Sequence, residues 1–149
     1  MIIAFFGHSS FCEDAKYKER VMALLDEIIK DSDVEFYLGG YGGFDAFSYR
    51  CCMEYKKKHS NASLIFVTPY PDGERLSIFS KIYDATLYPP IEDHPKKYAV
   101  LYRNRYMADC ADIVIVYIKH RFGGAFQAYS YAAKKKKKIY NIENFSKIT

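Results

Sequence analysis

Tryptophan is missing from the 149 residues, proline and cysteine are scarce at five and four, and neither sign of charge dominates. Each shortage excludes something. Cys12, Cys51, Cys52 and Cys110 form no CxxC pair and stand beside no ladder of histidines. Neither a zinc site nor a disulfide framework is expected from them, and reduced, cytosolic thiols are. No apolar run approaches the roughly 20 residues of a membrane span. The opening Met1-Ile2-Ile3-Ala4-Phe5-Phe6 is too short, and too uncharged in front, for a secretory signal. The formal charge is only +4, and much of it sits in Lys134–Lys138 at the expected end of the last helix, where cations complement the helix dipole. No basic stripe of the kind that holds duplex DNA remains. The expectation is one cytoplasmic domain over residues 1–149, with no membrane or duplex nucleic acid as partner, no metal and no cofactor.

What is plentiful is apolar and aromatic. Half of the residues are hydrophobic, and fifteen tyrosines and eleven phenylalanines make the chain 17% aromatic. That composition is globular, and it leaves rings beyond core packing to stack on a base or to line a homodimer or higher homo-oligomer interface.

The apolar residues fall in short continuous runs separated by amphipathic stretches. Runs at Ile2–Phe6, Val34–Leu38, Leu64–Val67, Ala85–Tyr88, Asp112–Tyr117 and Ile139–Ile142 predict strands. Between them, helices are predicted over Glu13–Lys30, from Phe44 to Lys58, over Leu76–Ile82, Lys96–Cys110 and Ala125–Lys136. Pro89-Pro90 to His94-Pro95 must be irregular, because proline lacks the N–H that both ladders need. Parallel strands require crossovers, so this alternation predicts a three-layer α/β fold whose mostly parallel sheet is covered by helices on both faces.

In such sheets ligands bind beyond the carboxyl ends of the strands. The loops there carry Gly7-His8-Ser9, then Gly39-Gly40-Tyr41-Gly42-Gly43, then Pro69, then Gly123-Gly124. Both glycine clusters lie between a strand and a helix, where unpaired N–H groups and a partial positive charge favour an anion. A phosphorylated, nucleotide-like ligand is the expected occupant, with Tyr41 or Tyr70 stacked on its base. Arg103, with Asn104 beside it and Met107 one turn on, is expected to grip phosphate with its planar fork. Arg105 has a simpler role open to it, an i,i+4 pair with Asp109 on the helix surface. His8 is either a general acid or base, or a residue that positions the first loop. Asp45 either caps the second helix or binds a ribose hydroxyl.

The strings FFGHS (5–9), GGYGGFD (39–45), YPP (88–90), RNRYMAD (103–109) and GGAFQAYSYA (123–132), the last running into lysines, resemble the small YpsA-type branch of the SLOG superfamily. That superfamily is related to LOG (Lonely Guy) proteins and to the Rossmann-like core of DprA, and the resemblance spans nearly the whole chain. It implies a Rossmann-like fold whose members bind nucleotides or their derivatives. Arg103 and Met107 match the R-K-x-x-M motif of LOG enzymes, which hydrolyse the N-glycosidic bond of nucleoside monophosphates. Gly123 and Gly124 match the first two glycines of their P-G-G-x-G-T-x-x-E motif, but Phe122 replaces the proline, Phe126 the third glycine, Gln127 the threonine and Ser130 the catalytic glutamate.

The last change bears on function. Breaking an N-glycosidic bond builds positive charge on the ribose, which a carboxylate must stabilise, or a carboxylate must activate water. Serine alone does neither. The chain is therefore read as a binding or sensing module for a nucleotide-like ligand. The alternatives are a nucleotide hydrolase whose carboxylate comes from elsewhere (Asp45, Glu92 or Asp93, with His8 as a further catalytic candidate) and a protein-interaction module with a vestigial site. The residues expected on the ligand are Gly7, His8, Ser9, Gly39, Gly40, Gly42, Gly43, Asp45, Pro69, Arg103, Asn104, Met107, Gly123, Gly124 and Gln127.

Overall fold

A computed structural model describes residues 1–143. The elements are β1 (Ile2–Gly7), α1 (Ala15–Ile29), β2 (Val34–Leu38), α2 (Gly42–Lys58), β3 (Ala62–Val67), α3 (Glu74–Phe79), β4 (Ala85–Leu87), α4 (Ala99–Cys110), β5 (Ile113–Tyr117), α5 (Gly124–Lys134) and β6 (Lys138–Asn141). The six strands form one sheet in the order β4-β3-β2-β1-β5-β6, and every neighbouring pair is parallel.

The inner strands β1, β3 and β5 are almost wholly apolar because both faces of the sheet are covered there. Ile3 and Phe5 of β1, Phe36 and Leu38 of β2, and Ile113 and Ile115 of β5 face a core built with α1 and α2. Their neighbours Ala4, Phe6, Tyr37, Val114 and Val116 face a second core closed by Met107 and Ala108 of α4 and by Ala128 and Ala132 of α5. The two cores thus interleave residue by residue along each strand, as the period of two dictates. Asp112 locks the central register, since its Oδ2 accepts the Ile2 N–H at 2.8 Å while its own N–H donates to the Ile2 carbonyl.

Two elements depart from expectation. The helix predicted over Lys96–Cys110 starts with a separate 3-10 turn at Lys96–Tyr98, divided from the helix proper at Tyr98, whose φ of −106° and ψ of 11° leave the helical range. The helix predicted over Leu76–Ile82 runs over Glu74–Phe79 and then loosens into turns, with Tyr83 N–H on the Phe79 carbonyl at 2.9 Å.

The order reverses between β1 and β5. The chain leaves β1 toward the α1–α2 face and returns through β5 on the α4–α5 face, which opens a crevice above those two strand ends.

Candidate functional site

The crevice is a cleft of about 420 Å³. Its walls come from four places: Gly7–Ser10 after β1, Gly39 and Tyr41 after β2, Val100 to Met107 along α4, and His120 to Ala125 before α5.

Arg103 is the deepest charge, only 2% exposed. Its Nη1 donates to the carbonyls of Gly39 at 2.9 Å and Val67 at 2.6 Å, and its Nε donates to Asn104 Oδ1 at 2.9 Å. Nη1 and Nε are thus engaged within the protein, and the side chain also lines the cleft. Arg103 holds the ends of β2 and β3 against α4. Burial draws its pKa down, and Asp45 pushes it back. Its Nη2 lies along the Gly39 backbone, where a Cβ would come within 3.2 Å of it.

Asp45 closes the same corner. Its Oδ2 accepts the Tyr41 N–H at 2.7 Å, so the capping role is realised, and its side chain also lines the cleft. Burial raises its pKa to about 6 against the opposing pull of the Tyr41 N–H, Arg103 and Arg75. The N-terminus of α2 is thus occupied from within: Asp45 sits on Tyr41 N–H, and the Gly43 N–H donates to the Ser9 carbonyl at 3.3 Å. The glycines of the first cluster serve packing. A Cβ on Gly40 would meet the Phe66 ring at 2.5 Å, and one on Gly42 would stand 3.0 Å from Ser9 Cα.

The second cluster is built differently. Space is open for a Cβ at both Gly123 and Gly124, and only Gly123 has a positive φ, of 92°. Gln127 N–H closes the first turn on the Gly123 carbonyl at 3.1 Å. Among the described residues, the N–H groups of Gly124, Ala125 and Phe126 have no protein acceptor. This helix end faces the cleft unfilled.

His8 is 5% exposed, and its Nε2 accepts the N–H of Lys119 at 2.9 Å and of His120 at 3.3 Å. An accepting Nε2 must be unprotonated. Burial, and then the neighbouring His120, lower its pKa in agreement. Of the two roles open to His8, the geometry matches the positioning one: it ties the loop after β1 to the loop before α5.

Several expected residues lie elsewhere. Pro69 is buried and does not line the cleft, and Glu92 is exposed in the proline loop. Gly40 and Gly42 face a second cavity of about 240 Å³ behind Asp45. Gln127 and Ser130 line a groove between α4 and α5, outside the cleft. Met107 is fully buried in the second core and reaches the cleft floor. Arg105 lies 5.3 Å from the rings of both Tyr102 and Tyr131. Asp109, its expected partner, instead accepts the Tyr131 hydroxyl at 2.9 Å. Tyr41 lines the cleft, but Arg75 lies 4.0 Å from its ring centre and covers it. Tyr70 is not in the cleft wall.

Sequence reasoning took His120 for a solvated histidine and Phe122 only as the replacement of a motif proline, yet both line the cleft. The available signal was an aromatic residue in the polar loop Lys119-His120-Arg121-Phe122, at no position a core period explains. Among the described residues, no cluster of three or more His, Cys, Asp or Glu side chains stands ready for a metal, and no helix is long and apolar enough to cross a membrane.

No protein-family model matches the sequence, and no curated protein matches it either. Solved structures do. DNA processing protein A (DprA) from Helicobacter pylori, a single-stranded DNA-binding protein, matches with a TM-score of 0.62 at 20% identity, over 95% of this chain and 64% of that one. DprA from Streptococcus pneumoniae gives 0.62 at 18% identity, over 93% and 49%. The structural-genomics target TM1055 gives 0.60 at 11% identity, over 93% and 72%. The chain thus spans less than two thirds of either DprA. What it shares with all three is the fold, a Rossmann-like α/β domain with a parallel sheet between two layers of helices.

Proposed function

We propose that the cleft binds a nucleotide or nucleotide-derived ligand with its phosphate on the N-terminus of α5, and that the protein acts as a binding or sensing module. The observation that carries this reading is Gly124. Its backbone needs no glycine, since its φ is not positive and a Cβ would meet open space. Alanine at a helix start would suit the fold better. A glycine there makes sense when something outside the protein approaches the backbone closely, and the three unpaired N–H groups beside it set the charge of that visitor. The fold shared with a single-stranded DNA-binding protein supports the nucleotide part of the reading.

Gly124→Asp separates binding from folding. A carboxylate at a helix N-terminus favours the helix by about 0.3–1 kcal/mol, so the melting temperature should hold or rise. The same charge should expel a phosphate. Titration calorimetry with adenosine 5′-monophosphate and with ribose 5-phosphate should show binding to the wild type and none to the variant. Equal binding by both proteins would move the phosphate off this helix.

A hydrolase reading keeps one observation in its favour. Asp45 brings a carboxylate into the cleft wall, with a pKa of about 6. Free adenine released on incubation with adenosine 5′-monophosphate would favour that reading over pure binding.

A further inference from the structure

Phe122 is 68% exposed, the most exposed large hydrophobic side chain among the described residues, and it belongs to neither core. It is nevertheless held in a defined pose. Its ring lies 3.8 Å from that of His120, with 19° between the planes. The His120 ring lies 3.6 Å from that of His8, at 12°. Three rings therefore stack nearly parallel at the cleft wall. The inner end is His8, pinned by two backbone N–H groups and sealed from solvent. The outer end is the far face of Phe122, which the high exposure leaves open.

We propose that this open face is the docking platform for a planar nitrogenous base, so that the ligand is a nucleotide carrying an unpaired base and not a sugar phosphate alone. The inference rests on the reading of the cleft as a nucleotide site and adds what recognises the other end of the ligand.

Three points carry it. Leaving most of a phenyl ring in water forgoes the stabilisation of burial, and the fold recovers only what the face stacked on His120 supplies. A fourth ring would extend an existing stack whose inner members are already fixed, so little order remains to be imposed on binding. Phe122 also directly precedes Gly123-Gly124, which puts the platform and the unpaired N–H groups of α5 on one loop, base contact and phosphate contact together. His120 Nδ1 is buried without a partner among the described residues, so the stack carries a polar atom that the protein leaves unsatisfied. Stacking on a phenyl face tolerates any base, which makes adenosine 5′-monophosphate a fair probe.

The test compares that nucleotide with ribose 5-phosphate on the wild type, Phe122→Ala and Phe122→Trp, by calorimetry and by NMR of the aromatic protons. The exposed ring can be removed without opening the core. The nucleotide should bind the wild type about 5- to 150-fold tighter than ribose 5-phosphate, the range expected for one base on one aromatic ring. Phe122→Ala should erase that advantage and leave ribose 5-phosphate binding unchanged, Phe122→Trp should keep it, and the nucleotide alone should give ring-current shifts at His120. If both ligands bind the wild type equally, or Phe122→Ala weakens both alike, the platform is overturned while the phosphate site stands. If Phe122→Ala changes the oligomeric state and not nucleotide affinity, the ring faces a second copy and the proposal fails. Binding of neither ligand would sink the cleft reading and this inference with it.

Discussion

Asp45 shows how one side chain serves folding and chemistry against each other. Its carboxylate caps Tyr41 N–H yet stands in the cleft with a pKa raised by burial to about 6. A carboxyl with a raised native pKa binds more protons folded than unfolded between its ordinary value near 3.8 and about 6, so stability falls as pH rises through that window. Asp45→Asn should therefore melt higher than the wild type at pH 7.5, with the gap closing toward pH 4. The ionised form also repels a phosphate in the same cleft. At pH 7.5 the variant should bind adenosine 5′-monophosphate roughly 3- to 10-fold more tightly, and at pH 5 the two proteins should bind alike. Taking the ratio between proteins cancels the ligand's own titration near pH 6. A ratio flat from pH 5 to 7.5 would place the phosphate out of reach of Asp45. The residue type was legible in the sequence, as was its capping role. Its raised pKa was not, because that is set by desolvation against the charges of Arg103 and Arg75, which arrive from α4 and α3.

At the scale of elements, Arg103 joins three of them. The sequence expects it on phosphate; in the structure its Nη1 donates to the carbonyl ends of β2 and β3. The two roles look alike for a physical reason. A guanidinium N–H donates to a carbonyl oxygen as readily as to a phosphate oxygen, here through Nη1 to both carbonyls, and only tertiary placement decides between them. Arg103→Ala would leave both carbonyls without their donor, at a cost of about 1–3 kcal/mol for each buried group left unsatisfied. Its denaturation midpoint should fall well below that of the wild type. Loss of nucleotide affinity with an unchanged midpoint would return Arg103 to the ligand. Gly7 is read in the sequence as a ligand-site glycine, yet its missing Cβ is also what lets α2 lie on β1, where the Phe44 ring would stand 2.2 Å from it. The two glycine clusters look equivalent in sequence and differ in kind: the first accommodates neighbouring side chains and backbone, the second accommodates nothing the protein owns.

At the scale of the molecule, the alternating pattern of strands and helices was enough to predict the layers and the crevice, because apolar runs buried on both faces leave few other arrangements. It did not fix which loops meet there, and Pro69, Glu92 and Gln127 fell outside the cleft for that reason. The two cores are not independent bodies. Each of the central strands contributes alternate residues to both, so neither core can melt while the sheet persists. Urea unfolding should accordingly be one transition, with far-ultraviolet circular dichroism and tyrosine fluorescence giving the same midpoint. Two separated midpoints would mean that one helical layer detaches on its own.

Because every strand runs the same way, the sheet has a working rim and an idle one. The turns that lead from helices into strands, such as the exposed stretch around Asp31 and Asp33 before β2, all gather on the idle rim, a full strand length from the cleft. That makes the rim a natural point of attachment: a dye, a surface tether or a fused reporter placed there would leave the opening above β1 and β5 unobstructed, and would turn the domain into a handle for fishing out whatever fills it.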